Sequence, residues 1–276
     1  MMRSLWTAAS GMRAQQVNVD TIANNVANIN TIGYKSQQAS FKSLLYQNLQ
    51  STSTNNAGEN KPVAAEVGLG SRVAAITSTF TQGNLTHVEN PFSVALEGDG
   101  FFQIRTESGE LQYTRDGSFE ISPVANGNML CTSDGNPVLD AYGNQIILPS
   151  NRVATDLVVN QDGTLAFPDG TGKPAVITDA NGRPVKFGIY QFNNPAGLSK
   201  EGSNNYSVTV ASGAAVAENG NAAVKQTKTH QYYTEASNVD VANEMVNLIV
   251  AQRAYEMNSK AIQASDEMMQ QANALR

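Results

Sequence analysis

The feature that most constrains this chain is a row of apolar residues near its N-terminus, spaced by three and four. The row runs through Leu5, Ala8, Met12, Gln15, Val19, Ile22, Val26 and Ile29. Such spacing is typical of a helix that packs lengthwise against another helix, and Gln15 is its one polar interruption. It predicts a helix from about Arg3 to Ala27. Because a single helix cannot bury this row by itself, the fold needs a partner helix.

The C-terminal part of the chain supplies a second apolar row, with one residue at every seventh position. Its members are Val241, Leu248, Tyr255, Ile262 and Met269. The segment 237–240 precedes this row as a capping cluster, and the Asp240 carboxylate lies at the positive end of the helix dipole. Other apolar residues surround the first turns: Met245, Val246, Ile249 and Val250. We predict a helix that reaches about Ala272 and contacts more than one neighbour.

The two ends also differ in charge. Residues 1–50 hold four basic residues and one acidic residue, a net charge of +3, whereas residues 238–276 carry −2. Because exposed ion pairs contribute only roughly 0–1 kcal/mol each, this difference favours an orientation of the helices more than it stabilises them.

Between the helices the sequence predicts strands. Residues 50–70 are polar and small, which is typical of an extended arm or a long loop. Beyond them, pairs of Asp or Asn with Gly recur between short apolar runs such as 101–104 and 145–148, as in antiparallel hairpins.

The predicted fold class is therefore α+β, with N- and C-terminal heptad helices packed together in a coiled-coil-like manner and an antiparallel all-β domain between them. The predicted segments are an N-terminal assembly helix (1–30), an extended arm (31–70), the β domain (71–237) and a C-terminal assembly helix (238–276).

Composition narrows the classes of function. Charged residues make up 15% of the chain, below the roughly 25% of an average globular protein, so charge repulsion between copies is weak and self-association is favoured. The net charge of −6 and the lack of a basic stripe argue against a nucleic-acid partner. The first residues lack the apolar run of a cleaved secretory signal, and no segment approaches transmembrane length.

No constellation for catalysis emerges from the sequence. His87 and His230 lie far apart and Cys131 is near neither, so no metal site, cofactor or small-molecule substrate is expected. The carboxylates available for glycoside hydrolysis lie in turn sequences: Asp99, Glu107, Asp116 and Asp134. We therefore predict that the protein is not an enzyme.

Four segments carry a resemblance to a known family. They are NNVANINTIGYK (24–35), GDGFFQIR (98–105), YTRDGSFEI (113–121) and the block from Ser237 to Met269. In this order they resemble the bacterial flagellar rod and hook proteins. Within that family, QRAYEMNSKA (252–261) is most similar to the distal rod subunit.

The resemblance implies a structural subunit that self-assembles into a helical, tubular distal rod, transmits torque and encloses an export channel. It implies a homo-oligomer with proximal rod subunits below and hook subunits above, surrounded by periplasmic and outer-membrane rings where the organism has them. It also implies export to the basal body without a cleaved signal. A proximal rod subunit and a hook protein are alternatives within the family, and an extracellular glycan-binding β module is an alternative from another class.

The helical rows and the Asn-rich segment together define the expected assembly interface. In chain order its residues are Leu5, Met12, Val19, Ile22, Asn24, Val26, Asn28, Val241, Met245, Leu248, Ile249, Tyr255, Ile262 and Met269. We expect the apolar residues of the first helix to face the second helix of the same subunit or of an adjacent one.

Overall fold

The computed structural model describes residues 2–50, 65–124, 127–150, 152–168, 174–179, 182–221 and 224–274. A helix, a β-rich middle and a second helix follow one another along the chain, which confirms the α+β class. The greater part of the predicted polar stretch 50–70 lies outside the described residues.

The helices are α1 (Met2–Ala27) and α2 (Val241–Ala274). Their bounds agree with the predicted helices to within about two residues. The strands are, in chain order, β1 (Gln37–Ser43), β2 (Tyr46–Gln50), β3 (Ala65–Gly68), β4 (Ser71–Ser78), β5 (Leu85–His87), β6 (Val94–Glu97), β7 (Phe101–Arg105), β8 (Leu111–Thr114), β9 (Glu120–Val124), β10 (Gly127–Cys131), β11 (Ile147–Leu148), β12 (Val158–Val159), β13 (Leu165–Pro168), β14 (Pro174–Val176), β15 (Ile189–Gln191), β16 (Ser199–Gly202), β17 (Asn205–Ser207), β18 (Val216–Ala217), β19 (Lys228–Gln231) and β20 (Tyr233–Glu235).

The chain divides into two compact units. Unit 1 comprises Met1–Ala27, Gln37–Ser78 and Asp240–Arg276, and unit 2 comprises Asn28–Ser36 and Thr79–Val239. Both helices therefore belong to unit 1, together with strands β1 to β4. The predicted division into four consecutive segments stays a prediction.

Unit 1 contains two antiparallel strand pairs. β1 pairs with β4 from Gln37 opposite Ser78 to Ser43 opposite Ser71, and β2 pairs with β3. The ring of Tyr46 on β2 covers Gly68 on β3, as aromatic side chains often do where a strand lacks a side chain of its own. α1 packs against β1 and β4 as well as against α2.

Unit 2 is built around an antiparallel six-stranded sheet in the order β16-β17-β8-β7-β15-β18. Side chains alternate across β7, so Phe102 enters a large core with Phe119 and Phe187, while Phe101 joins a second cluster with Tyr206. The predicted strands at 101–104 and 145–148 therefore contribute to a β core. Within the described residues, no helix has the length and hydropathy that crossing a membrane requires.

Candidate assembly interface

Helices α1 and α2 pack antiparallel within unit 1. The Ser4 and Ser265 hydroxyls lie 3.3 Å apart near one end, and Asn25 Nδ2 donates a 3.0 Å hydrogen bond to Glu244 Oε1 near the other. The step from Ser4 to Asn25 along α1 equals the step from Ser265 back to Glu244 along α2. The two helices therefore stay in one register along most of the length of α1.

Gly11 of α1 lies directly against Asn258 of α2. A Cβ atom at this position would be only 2.9 Å from Asn258 Nδ2 of α2, so the absence of a side chain lets the backbone of α1 come near. Glycine inside a helix costs about 1 kcal/mol relative to alanine. A larger residue at position 11 would require the Asn258 side chain to move.

Asn25 connects three elements of unit 1. Its side chain is 1% exposed, and its Oδ1 accepts a 2.8 Å hydrogen bond from the Gln37 amide of β1. Its Nδ2 donates to the Gln37 carbonyl at 2.8 Å and to Glu244 of α2. Because buried polar groups are costly without partners, this arrangement specifies how α1, β1 and α2 meet.

Sequence reasoning selected the neighbours of Asn25 and missed Asn25 itself. Asn24 is exposed, and Asn28 belongs to the turn after α1, where its Oδ1 accepts a 3.2 Å hydrogen bond from the Thr31 hydroxyl. The signal that could have identified Asn25 is its spacing, since small or polar residues recur at every seventh position. On α1 these are Ser4, Gly11, Asn18 and Asn25, and on α2 they are Glu244, Ala251, Asn258 and Ser265.

The apolar residues expected on α1 are all partly or fully covered. Ile22 is 5% exposed, whereas the others are half-buried: Leu5, Met12, Val19 and Val26. On α2 the two most buried described residues are Ala251 and Ser265, both members of the small or polar row. Small residues therefore occupy the centre of the helix contact, and larger apolar residues lie beside it.

The apolar residues expected on α2 fall into two groups. Half-buried residues continue along the α1 side of the helix: Leu248, Ile262 and Met269. Exposed residues begin at the N-terminus of α2: Val241 (47%), Met245 (46%), Ile249 (55%) and Tyr255 (43%). Ile249 and the buried Ala251 are two residues apart, about 200° around the helix, so Ile249 points away from α1. The helix pair thus leaves an apolar surface without a partner in its own unit.

Unit 2 contains a buried ion cluster that joins two of the motif segments through Glu235. Lys35 Nζ lies 2.6 Å from Glu235 Oε1, and an Arg115 terminal nitrogen lies 3.5 Å from Glu235 Oε2. Lys35 also donates to the carbonyl of Thr81 at 2.8 Å, and the Gly83 amide donates to Glu235 at 2.9 Å. These contacts tie the GYK turn after α1 to the residue that follows β8 and to strand β20 through charge-assisted hydrogen bonds.

Burial changes the acidity of both cations. Desolvation lowers the pKa of Lys35 below its ordinary value, although the charge of Glu235 opposes that shift. Desolvation likewise lowers the pKa of Arg115, again against the attraction of Glu235. The guanidinium of Arg115 also lies 4.9 Å from the centre of the Phe101 ring, a cation–π contact that connects the cluster to the aromatic core.

One of the four carboxylates weighed for glycoside hydrolysis, Asp116, has a turn role in the structure. Asp116 Oδ1 accepts hydrogen bonds from the Ser118 amide at 2.9 Å and from its hydroxyl at 2.6 Å. Such contacts are those of an Asx turn. Among the described residues, no group of three or more His, Cys, Asp or Glu side chains is arranged to hold a metal ion.

Three family models match segments of the chain in the order of its motifs. The model "Flagella basal body rod protein" matches residues 5–35, "Flagellar hook protein FlgE/F/G D1 domain" matches 95–167, and "Flagellar basal body rod FlgEFG protein C-terminal" matches 230–275. The first and third include most of α1 and α2. The second includes strands β7 to β12 and most of β13.

Curated relatives match the chain along its whole length. The flagellar basal-body rod protein FlgG of Borreliella burgdorferi is 43% identical, over 100% of this chain and 99% of its own. FlgG of Caulobacter vibrioides is 38% identical over the full length of both chains, and FlgG of Bacillus subtilis is 35% identical over 98% of each. This chain belongs to the family of flagellar basal-body rod proteins that includes FlgG.

Proposed function

We propose that this protein is a structural subunit of the flagellar basal body that polymerises into the distal rod. The full-length similarity to FlgG proteins supports a rod subunit over a glycan-binding module, and it favours the distal rod over a proximal rod subunit or a hook protein. In this role the polymer transmits torque and encloses an export channel. The proposed partners are further copies of this chain, proximal rod subunits below, hook subunits above and the surrounding rings.

The observation that carries the proposal is the unpartnered apolar surface at the start of α2. Exposed apolar patches in non-membrane proteins commonly mark protein–protein contacts. Here Met245, Val246 and Ile249 are 46 to 59% exposed, on a helix whose other side already packs on α1. A second subunit that covers this surface removes it from water, and the free energy gained drives polymerisation.

We further propose that α1 and α2 form a coiled-coil-like pair whose expected residues complete their burial only between subunits. The contacts at Ser4, Gly11 and Asn25 are separated by multiples of seven residues, which supports this arrangement. Each helix then touches several neighbours at once, and such multiple contacts give a polymer stiffness. The work of the protein is mechanical, and catalysis has no part in it.

Complementation tests the proposal directly. The gene is expressed in a flagellated bacterium that lacks its own distal rod gene, and swimming and purified basal bodies are examined. We expect motility and hooks attached to full-length rods. A matched strain lacking a proximal rod gene should stay non-motile. Rescue of that strain alone would identify the chain as a proximal rod subunit. Rescue of a hook mutant alone would identify it as a hook protein.

A further inference from the structure

A groove in unit 1 lies between α1 and strand β4, with Leu44 and Leu69 beside that strand. Its volume is about 380 Å³, and one wall is a single side of α1 that bears Trp6, Ser10, Arg13 and Val17. Leu44, Leu69 and Val73 form the opposite, largely apolar wall. Trp6 is 72% exposed at this groove, an unusual state for the largest apolar side chain in the protein.

Two cations flank the groove. Arg13 and Arg72 are both exposed, and among the described residues neither guanidinium forms an ion pair with a carboxylate. The groove therefore combines an apolar wall with two positive groups for which the described part of the chain supplies no ion-pair partner. A fitting partner is an apolar ridge with a carboxylate near it.

Helix α2 presents such a ridge on its side away from α1. Met245 and Ile249 are one turn apart, and Glu256 follows Ile249 by two turns on the same side of the helix. Glu256 is exposed, and its one ion pair among the described residues is a 3.1 Å exposed pair with Arg253, three residues earlier. Exposed pairs of this kind are weak, so Glu256 is able to change partner at little cost.

The chain is unable to fill its own groove with this ridge. The groove lies on one side of α1, and α2 packs on a different side, where it contacts Gly11 and Asn25. Ile249 points away from α1 altogether. The ridge and the groove are thus complementary surfaces that point in different directions within one unit and do not contact each other there.

We propose that the groove lined by Trp6 and Arg13 receives the Met245–Ile249–Glu256 ridge of α2 from a second copy of this chain. The inference rests on the proposed function, since it names one contact through which the subunits polymerise. Because the ridge and the groove are different surfaces, the contact is heterologous. A heterologous contact that does not close into a ring continues as an open helical polymer.

Disulfide trapping in the full-length chain tests this contact. One variant carries Ala9→Cys in the groove and Ile249→Cys on the ridge, while the native Cys131 is buried and stays in place. Mild oxidation during polymerisation should give a ladder of dimers, trimers and longer products on a non-reducing gel. The control Ala9→Cys/Met268→Cys places the second thiol at another exposed position of α2 and should remain mostly monomeric.

Mixing the two single variants tests whether the disulfide joins two different copies of the chain. Ala9→Cys and Ile249→Cys chains in equal amounts should give dimers and nothing longer, and each chain alone should give few. Filaments visible by electron microscopy without the ladder overturn the groove contact and leave the proposed function standing. An internally linked monomer from the double variant overturns the choice of a second copy. If the unsubstituted chain forms no filaments under any condition, both proposals fail together.

A second variant measures how strongly the groove contributes to polymerisation. Large aromatic anchors often dominate an interface, so Trp6→Ala should raise the critical concentration for polymerisation at least about tenfold. Its circular dichroism spectrum should be unchanged because Trp6 is mostly exposed. The control Val210→Ala removes a fully exposed apolar side chain of unit 2 and should leave the critical concentration within about twofold. An unchanged value for Trp6→Ala contradicts the contact.

Discussion

The ammonium of Lys35 and the carboxylate of Glu235 form a 2.6 Å ion pair in which both side chains are fully buried, although 200 residues separate them in the chain. Replacing one partner leaves the other as a buried charge with less compensation. We therefore expect Lys35→Met to lower the free energy of unfolding by about 3–5 kcal/mol, measured by urea denaturation. The exposed Lys225→Met is the matched control and should change it by less than about 0.5 kcal/mol. Equal effects from the two variants would refute a stabilising role for the pair.

Asn25→Ala should destabilise unit 1. The change removes hydrogen bonds to both backbone groups of Gln37 and to Glu244, and each buried polar group left without a partner costs about 1–3 kcal/mol. We expect the free energy of unfolding to fall by at least about 2 kcal/mol. Urea unfolding monitored by the helical circular dichroism signal measures this change. The neighbouring Asn24→Ala affects an exposed side chain and should cost less than half as much. A larger loss for Asn24→Ala would show that the wrong asparagine has been assigned the connecting role.

The contact between Gly11 and Asn258 predicts a change of sign in a double-mutant cycle. In the natural background, Gly11→Ala gains helix propensity but pushes a Cβ against the Asn258 amide, so its net effect should be near zero or unfavourable. In an Asn258→Ala background the obstacle is gone, and Gly11→Ala should stabilise the protein by up to about 1 kcal/mol. Thermal denaturation of the four proteins measures the coupling. The same gain in both backgrounds would mean that α1 and α2 do not approach closely at Gly11.

Tyr206 predicts a loss of stability at alkaline pH. Burial raises the pKa of its phenol from 10.0 to about 12, so the folded protein retains the proton when the unfolded chain has released it. The stabilising contribution of this group is therefore complete below pH 10 and falls as the pH rises toward 12. A shift of two units corresponds to about 2.7 kcal/mol.

Comparison with Tyr206→Phe isolates this effect, because the variant has no phenol to ionise. Between pH 9 and pH 11.5, the natural protein should lose about 2 kcal/mol more stability than Tyr206→Phe does. The exposed Tyr142→Phe serves as the control and should follow the natural protein. Parallel curves for all three proteins would show that Tyr206 ionises as readily in the folded state as in the unfolded state.

The sequence by itself determined the helices, the β-rich middle and the family. A row at heptad spacing identifies a packed helix whatever its partner is, and recurring Gly-containing turns identify short antiparallel strands. Both are local properties of the chain. This is why the predicted helix bounds agree so closely with Met2–Ala27 and Val241–Ala274.

Only the tertiary structure decided which side of each helix meets the other. Apolar periodicity predicted Leu248 and Tyr255, which stays a prediction, and did not point to Gly11, Asn258 and Asn25. The structure places these three at contacts of the helices, because small residues let helix backbones approach and a buried amide needs partners at defined positions. The ion cluster in unit 2 arises in the same way. Nothing local to Lys35 identifies a charge that will be buried, since its partners come from segments that are distant in the chain and adjacent only in the folded protein.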